Sequence, residues 1–432
     1  MRLNGWGRYP VINATASRPD SEAGVTSCLA GESDLIAHGL GRSYGDSALG
    51  DNVVLMSGLN RILHFDEDAG VVRCESGVTL AEIIECFLPR GWFPAVTPGT
   101  KFVTLGGAVA SDVHGKNHHA LGCFSECVLS LDLMLPSGET VICSRKQNPE
   151  LFHATCGGMG LTGIILRVAF RLAPVRSACI DETIIRSANL EETLYLFEET
   201  SGATYSVAWL DCLAQGDQLG RSLLMTGEHS NEGSLDPGTP GRLSLPFDMP
   251  GFILNRHSVA AFNNLYYGRV RKRETSRRVH FDPFFYPLDG IGQWNRLYGR
   301  KGFTQYQMVI PKQAGSDGLK RIISEIAASG LGSFLVVLKL FGPENKNYLS
   351  FPMEGYTLAI DFRIQRGLFS VLDRLDSVVS DFGGRLYLTK DVRMSPRMLR
   401  TGYPRLEEFL AVRERFGLRG KFNSLQSKRL EL

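Results

Sequence analysis

Residues 157–163 read Gly-Gly-Met-Gly-Leu-Thr-Gly, and from position 158 they match the spacing G-x-G-x-x-G. In a dinucleotide-binding Rossmann unit this spacing follows a strand and opens a helix. Here the β-branched residues of the next segment, 162–172, predict a strand instead. The chain is therefore not expected to fold as a nicotinamide-binding Rossmann domain, although its glycines still let the main chain approach a ligand closely.

Two further segments are rich in small residues. Residues 39–46, Gly-Leu-Gly-Arg-Ser-Tyr-Gly-Asp, follow a candidate strand at 34–37, and their three glycines let successive N–H groups point into one concavity that suits a pyrophosphate. A plain turn is the alternative interpretation of this segment taken alone. Residues 98–116 contain Gly-Gly-Ala-Val-Ala, against which a flat ring or a phosphate can lie directly on the main chain. Together the three segments indicate a cofactor-binding domain.

Length and composition limit the other possibilities. A chain of 432 residues exceeds one ordinary core, so we expect two domains. A net charge of +2, with 43% hydrophobic and 21% charged residues, is typical of a soluble globular protein and does not indicate a nucleic-acid binder or a membrane-embedded chain. Residues 1–10 lack an apolar export signal, and an odd number of cysteines, nine, indicates reduced thiols in the cytoplasm.

No metal site is predicted. Cys123 and Cys127 have no second cysteine pair at a zinc-site spacing, and His114, His118 and His119 have no second carboxylate nearby to complete a ligand set. A metal hydrolase built on His114 is therefore a remote alternative. We expect His114 and Lys116 to form a polar pocket wall that faces a substrate phosphate.

Hydrophobic periodicity predicts the architecture. Strands are expected at 52–56, 71–74 and 128–135, a capping box at residues 79–82 opens a helix, and Ala173-Pro174 marks a domain boundary. The carboxyl-terminal part predicts the order β-α-β-β-α-β of a ferredoxin-like split βαβ unit. Its six elements are expected at 303–310, 318–328, 333–341, 356–364, 368–382 and 384–389, with a last helix at 405–416.

The middle of the chain is the least regular part. Residues 227–242, rich in Gly, Ser, Asn and Pro, are interpreted as a mobile loop. Residues 269–278 hold six basic side chains, which predict either a solvated loop or attraction to an anionic lipid or a phosphorylated substrate. The six are Arg269, Arg271, Lys272, Arg273, Arg277 and Arg278.

In this order the segments resemble the FAD-binding oxidoreductases of the vanillyl-alcohol oxidase family, and within it the decaprenylphosphoryl-β-D-ribose 2-oxidases. The resemblance is carried by GLGRSYGD, PGTKFVTLGGAVASDVHGKNHH, GGMGLTGII, FTQYQMVIP, SFLVVLKLFGP and GGRLYLTKD. It implies a two-domain α+β flavoprotein. Residues 1–175, completed by 385–432, would bind FAD, and residues 176–384 would bind substrate on a large antiparallel sheet.

The resemblance also implies roles for particular residues. The catalytic residues would be Lys390, the essential lysine of the family, and Tyr387. Substrate would be bound by Tyr44, His114, Lys116, Gln305, Gln307 and Lys339. FAD would be bound by Gly39, Gly41, Arg42, Ser43, Tyr44, Gly45, Pro98, Gly99, Thr100, Thr104, Gly106, Gly107, Ala110, His114, Gly158, Gly160, Gly163, Ile164 and Tyr387.

The chain departs from the family at three points. Many relatives anchor the flavin covalently through a histidine in the first glycine-rich loop, whereas this loop reads Gly41-Arg42-Ser43, so we expect non-covalent FAD. Ala359 stands where the mycobacterial enzymes have a cysteine, so covalent inhibitors that need that thiol should fail. Val336 stands where those enzymes have a polar residue, which leaves the sugar contacts in doubt.

The implied reaction is oxidation of the 2-hydroxyl of a polyprenyl-phosphoryl ribose to a 2-keto sugar, the first half of epimerisation to the arabinose form used in cell walls. A separate NAD(P)H-dependent short-chain reductase would be the partner. We expect a cytoplasmic protein with possible contact to the inner membrane through residues 227–245 and 269–278. The alternatives are a soluble alditol or aldonolactone oxidase on the same fold and a catalytically silent FAD-bound scaffold.

Overall fold

Three main β-sheets and two smaller, two-stranded sheets organise the computed structural model, which describes residues 1–31, 33–238 and 243–432. The strands are, in chain order, β1 (Arg2–Asn4), β2 (Val11–Asn13), β3 (Thr15–Ser17), β4 (Ile36–His38), β5 (Asn52–Leu55), β6 (Ile62–Asp66), β7 (Val71–Glu75), β8 (Trp92–Pro94), β9 (Val128–Met134), β10 (Thr140–Cys143), β11 (Ile164–Pro174), β12 (Cys179–Ser187), β13 (Tyr205–Leu210), β14 (Ser222–His229), β15 (Leu243–Ser244), β16 (Glu274–His280), β17 (Ile291–Gly292), β18 (Phe303–Pro311), β19 (Val336–Phe341), β20 (Gly355–Arg363) and β21 (Arg385–Leu386). The α-helices are α1 (Glu22–Leu29), α2 (Leu80–Phe87), α3 (Leu105–Ala110), α4 (His118–Leu121), α5 (Pro149–Thr155), α6 (Leu190–Glu199), α7 (Arg256–Gly268), α8 (Phe281–Phe285), α9 (Gly315–Ser329), α10 (Leu368–Asp381), α11 (Pro396–Gly402), α12 (Leu406–Arg415) and α13 (Leu425–Leu430).

The amino-terminal part contains two of the main sheets and the small β1-β2 sheet. A parallel sheet has the order β3-β5-β4, and an antiparallel sheet has the order β10-β9-β11-β7-β6, with β8 also paired to β11. After β7, α2 begins at the predicted capping box, in which the Thr79 hydroxyl accepts from the Glu82 N–H and the Glu82 carboxylate accepts from the Thr79 N–H. The G-x-G-x-x-G segment lies between α5 and β11, so it follows a helix and precedes a strand, opposite to a Rossmann unit.

The third sheet has eight antiparallel strands in the order β16-β12-β14-β13-β19-β20-β18-β21. This large sheet and the mixed α+β composition confirm the predicted fold class. Residues 303–386 form the expected split βαβ unit, whose four strands lie in the order β19-β20-β18-β21. Strands β12, β13, β14 and β16, with α6 and α7 between them, repeat the same order of connections, and the two units join where β13 pairs with β19. This internal repeat is not evident in the sequence.

Three local predictions are corrected. Within the segment expected to be a strand at 384–389, only Arg385–Leu386 is paired, because β21 meets β18 at just Met308 and Val309 before the chain turns. The predicted loop 227–242 begins inside β14, which runs to His229, and its last residues lie outside the described part of the chain. The second half of the basic run, residues 274–278, belongs to the edge strand β16, where Arg277 and Arg278 pair with Glu182 and Asp181 of β12, whereas the other four basic side chains precede the strand.

Strand membership changes from the amino-terminal sheet to the eight-stranded sheet between Pro174 and Cys179, close to the predicted boundary at 175. At the other end the carboxyl-terminal residues pack on the amino-terminal part. The Leu425 N–H donates to the Leu49 carbonyl, and the buried amide of Gln426 donates to the carbonyl of Leu388 at 2.7 Å. The exact domain limits stay a prediction.

No helix of the described residues is both long enough and apolar enough to span a bilayer.

Candidate active site

A cavity of about 580 Å³ lies between the glycine-rich segments and one face of the eight-stranded sheet. The glycine-rich segments supply one wall, which we call the glycine wall. The exposed face of β13, β18, β19 and β20 supplies the other, which we call the sheet wall. Residues predicted from distant parts of the sequence therefore meet in one place.

The glycine wall is open main chain. Within the described residues no acceptor takes the backbone N–H groups of Leu40, Gly41 or Ser43, all of which line the cavity. A Cβ added at Gly99 would meet no atom within 4 Å, so this wall presents its backbone without obstruction. Unpaired N–H groups and bare glycine backbone are the features with which proteins hold phosphate groups and flat cofactors. The wall therefore fits a dinucleotide such as FAD.

The sheet wall is set by strand register. In β18 and β20, Gln305 is opposite Asp361 and Gln307 is opposite Ala359. In β19, Val337 is opposite Ala359, and Lys339 is opposite Thr357. Side chains two residues apart lie on the same face of a strand, and Gln305, Gln307, Val337, Lys339 and Ala359 together line the cavity.

Lys390 lies in the short turn Leu388–Lys390 that follows β21. The Tyr44 N–H donates to the Thr389 carbonyl at 3.1 Å, which brings the first glycine-rich loop against this turn. As a result the Lys390 amine lies 3.7 Å from the centre of the Tyr44 ring. Burial lowers the pKa of Lys390 to about 7, while the Asp361 carboxylate opposes this shift and the Lys339 amine adds to it.

Asp361 supports the same region from behind. Its carboxylate accepts from the Gln305 side-chain amide at 2.6 Å and from the Tyr298 hydroxyl at 3.3 Å. Burial raises the pKa of Asp361 well above its usual range, and the Gln305 hydrogen bond and the Lys390 charge oppose that rise. Asp361 was not among the predicted site residues. A carboxylate within an otherwise apolar strand could have indicated from the sequence that it belongs to a functional site.

His114 is held as a neutral ring. The Gln307 side-chain amide donates to its Nε2 at 3.1 Å, and the second ring nitrogen has no partner among the described residues. Burial is the main cause of a pKa well below the usual histidine range, and the nearby Lys339 amine lowers it further. His114 therefore contributes a polar, uncharged surface to the cavity.

Lys116 and Lys339 are half-buried lysines that line the cavity wall. Lys116 donates to the Phe284 carbonyl and lies 4.2 Å from the centre of the Phe284 ring. Burial lowers its pKa to about 7, and Lys339 contributes in the same direction. Lys339 has no hydrogen-bond acceptor or acidic partner in the described chain, and burial alone lowers its pKa to about 8. An anionic ligand would supply the countercharge that these amines lack.

Tyr387 presents its ring to the cavity, while its hydroxyl is engaged elsewhere. The hydroxyl donates to the Ser111 carbonyl at 2.9 Å, and the ring stacks on Phe351 with 4.6 Å between centroids. Burial raises the pKa of the Tyr387 hydroxyl. The tyrosine thus fixes the junction between the two walls.

Most predicted site residues line this cavity, and three do not. Gly45 packs against the main chain of Asp391, where an added Cβ would lie 1.7 Å from the carbonyl oxygen. Gly158 packs in the same way against Ala154, at 2.0 Å, and Ile164 is fully buried at the start of β11. Their small size or apolar character serves close packing behind the glycine wall rather than direct contact with a ligand. Val336, where the mycobacterial enzymes have a polar residue, is fully buried, and its neighbour Val337 lines the cavity.

Other cavity residues were missed because they lie in the irregular middle of the chain or carry no motif. Asp289 is one of them, and its carboxylate accepts from the N–H of Lys101 at 2.9 Å, a buried residue that forms an ion pair with Asp282. At the outer end of the cavity a mixed apolar and charged group contributes to the lining. Its members are Glu182, Trp209, Met225, Tyr266, Arg269 and Arg277.

In the described residues no group of three or more His, Cys, Asp or Glu side chains is arranged to hold a metal ion.

Comparison with known proteins agrees with this geometry. Residues 16–144 match a family model described as an FAD binding domain. The chain is 38% identical to a decaprenylphosphoryl-beta-D-ribose oxidase of Mycolicibacterium smegmatis, over 100% of this chain and 97% of that protein. It is 30% identical to an uncharacterized Streptomyces coelicolor protein over 82% of this chain and 100% of that protein. An L-gulonolactone oxidase of Scyliorhinus torazame is 31% identical over 32% of this chain and 31% of its own length.

Proposed function

The chain belongs to the family of FAD-binding oxidoreductases that includes the Mycolicibacterium smegmatis decaprenylphosphoryl-beta-D-ribose oxidase, and we propose that it oxidises the 2-hydroxyl of a polyprenyl-phosphoryl ribose to a 2-keto group. One observation carries this proposal. Lys390, with a lowered pKa, and the unpaired amine of Lys339 both face the glycine wall across one cavity. A base and an anion-binding cation beside a flavin site fit a phosphorylated alcohol.

The glycine wall would hold the cofactor without a covalent bond. The free N–H groups of Leu40, Gly41 and Ser43 suit a pyrophosphate, and the bare backbone near Gly99 and Gly107 suits a flat ring. His38, next to the first loop, is the nearest histidine in sequence, and its Nδ1 contacts the Ala48 carbonyl at 2.8 Å. The chemistry that bound FAD supplies is acceptance of a hydride from a carbinol carbon.

Lys390 takes the hydroxyl proton in this proposal. Oxidation of a carbinol removes one hydride from carbon and one proton from oxygen, and the neutral Lys390 amine is the acceptor for that proton. A pKa of about 7 leaves a substantial neutral fraction near physiological pH, which is the range in which a general base works best. The Tyr44 ring, whose centre lies 3.7 Å from the Lys390 amine, holds that amine in position.

Lys116 and Lys339 bind the phosphate, and Gln305 and Gln307 orient the sugar. Each amine loses hydration on burial without gaining a carboxylate partner, so a phosphate restores the lost stabilisation. The Gln307 amide lies between His114 and Thr357, at 3.1 Å and 3.3 Å, and its position is therefore fixed before substrate arrives. Preorganised polar groups of this kind favour one hydroxyl geometry over others.

The 2-keto product needs a second enzyme to become the arabinose form. A separate NAD(P)H-dependent reductase would supply the hydride, and the two reactions together would invert the 2-position. Because the substrate is lipid-linked, we place the reaction in the cytoplasm at the surface of the inner membrane. The free cysteines of the described chain are compatible with a reducing compartment.

Anaerobic mixing tests the proposal. The purified protein, reconstituted with FAD, is mixed with farnesyl-phosphoryl ribose while flavin absorbance is followed, and a pentitol is used in parallel. Rapid loss of flavin absorbance with the phosphoryl ribose alone supports the proposal. Reduction by the pentitol alone would instead identify a soluble alditol oxidase, and no reduction by either would indicate a silent scaffold.

A further inference from the structure

Helix α7 carries an exposed apolar stripe beside the cavity mouth. Phe262 and Leu265 are 43% and 76% exposed, and Tyr266 and Arg269 follow at helical spacing. Positions i, i+3, i+4 and i+7 lie on one face of a helix. A different face of α7, with Val259, Asn263 and Tyr267, is buried, whereas Phe262 and Leu265 remain exposed. Clustered exposed apolar side chains on a folded domain commonly mark a binding surface. We define the stripe as Phe262, Leu265, Tyr266 and Arg269.

The stripe continues directly into the cavity. Tyr266 lines the cavity and contacts Trp209 of the sheet wall, with 4.6 Å between ring centroids. On its other side Tyr266 stacks on Phe262 at 5.7 Å and 25°. An apolar chain could therefore pass from Trp209 over Tyr266 to Phe262 and Leu265 without leaving an apolar surface.

Charge along the cavity has an order that fits a phosphate followed by an apolar chain. Lys339 is within Coulombic range of both Lys390 and Lys116, and Lys116 is within range of Glu182. Glu182 forms an ion pair with Arg277 at 2.6 Å, so Lys116 and Lys339 have no carboxylate partner of their own among the described residues. In the strands next to Lys339 the cavity lining is apolar, with Trp209 of β13 opposite Val337 and Met225 of β14 opposite Val207.

Arg269 marks the point at which the cavity meets the stripe. Its guanidinium donates to the Tyr266 hydroxyl at 2.9 Å and lies 3.8 Å from the centre of that ring. Among the described residues it has no carboxylate partner. These two contacts fix the orientation of the Tyr266 ring, so the aromatic surface is in place before a ligand binds.

We infer that the stripe and Trp209 bind the first isoprene units of the substrate's prenyl chain as it leaves the cavity. This inference rests on the proposed function. It adds a recognition element outside the reacting sugar, so the enzyme would select substrates by the chain attached to the phosphate. Contact with a growing apolar chain supplies binding free energy in proportion to the area removed from water.

A chain-length comparison tests the inference. Ethyl-phosphoryl ribose and farnesyl-phosphoryl ribose, the latter below its micelle-forming concentration, are compared by kcat/KM in flavin reduction without membranes. The wild-type protein should prefer the farnesyl ester by about tenfold or more, equivalent to about 1.4 kcal/mol. Leu265→Glu should reduce this preference by about tenfold, since a carboxylate then faces the apolar chain. Leu63→Glu is the matched control, because Leu63 is 44% exposed on β6 of the other sheet, and it should keep the full preference.

The outcomes separate the possibilities. Equal kcat/KM for the two esters in the wild-type protein, or an unchanged preference in Leu265→Glu, would overturn the inference while leaving the proposed function intact. Unchanged preference with a loss of sedimentation on anionic phospholipid vesicles would identify the stripe as a membrane surface instead. Unchanged preference with a lower sedimentation mass would identify it as a contact between copies of the chain. If neither ester reduces the flavin, the proposed function itself fails.

Discussion

Replacing Lys390 with methionine isolates the proposed proton acceptor. Methionine keeps an unbranched apolar stem near Tyr44 but removes the amine that lies 3.7 Å from the centre of that ring. A pKa of about 7 means that the neutral amine becomes the main form as pH rises above 7. The wild-type rate of flavin reduction should therefore increase with pH through that value and then level off.

The expected loss of rate in Lys390→Met follows from the proposed role of Lys390 as a general base. A positioned general base contributes about 10²- to 10⁴-fold, or about 3 to 5 kcal/mol of activation free energy. Lys390→Met should therefore reduce flavin at least about 100-fold more slowly on the alkaline plateau. It should still bind FAD, since the glycine wall is untouched.

Anaerobic stopped-flow measurement of flavin absorbance over a series of pH values provides the test, with farnesyl-phosphoryl ribose as substrate. Lys346→Met is the control, because Lys346 is exposed and does not line the cavity. A Lys390→Met protein that reduces flavin within a few-fold of the wild-type rate, or that retains the same pH inflection, would refute the assignment.

Three further predictions concern neighbouring residues. Asp361→Asn removes the carboxylate that raises the pKa of Lys390, so the midpoint of the pH profile should move to lower pH, and a midpoint that stays or rises would contradict this. Lys339→Met removes an amine whose pKa in the folded protein, about 8, lies below its unfolded value. The substitution should therefore stabilise the protein by on the order of 2 kcal/mol at neutral pH and by less above pH 8, and thermal unfolding at two pH values tests this direction. It should also raise the KM for the substrate. Gly99→Ala should weaken FAD binding several-fold with little change in Tm, because its Cβ enters open cavity space, whereas Gly202→Ala, equally free of contacts, should change neither quantity.

The sequence predicted local structure well where one short-range signal was sufficient. The capping box at Thr79 fixed the start of α2, and alternation located β18 and β20 to within a residue or two. In the same way, the strand after the G-x-G-x-x-G segment was enough to disfavour a Rossmann unit. Each of these features depends on neighbours in sequence, so the residues themselves carry the information.

The first split βαβ unit was not predicted because its parts are far apart. Its third and fourth strands, β14 and β16, are separated by a long segment, and the composition of β16 resembles a solvated basic loop. Arg277 and Arg278 are stabilised in a strand only because Glu182 and Asp181 of β12 stand opposite them. Such cross-strand pairs are tertiary facts that composition does not reveal.

The candidate site shows the same division. The sequence by itself determined the residue types that can bind a cofactor and do chemistry: bare glycine backbone, glutamines two apart in a strand, and the lysines at 116, 339 and 390. Only the tertiary structure decided which of them share a cavity, that Gly45 serves packing, and that Val337 rather than Val336 lines the cavity. The physical reason is that period two assigns residues to opposite faces of a strand, whereas the face that meets the cavity depends on what packs against the sheet. The lowered pKa of Lys390 has the same origin, since burial between two distant segments causes it.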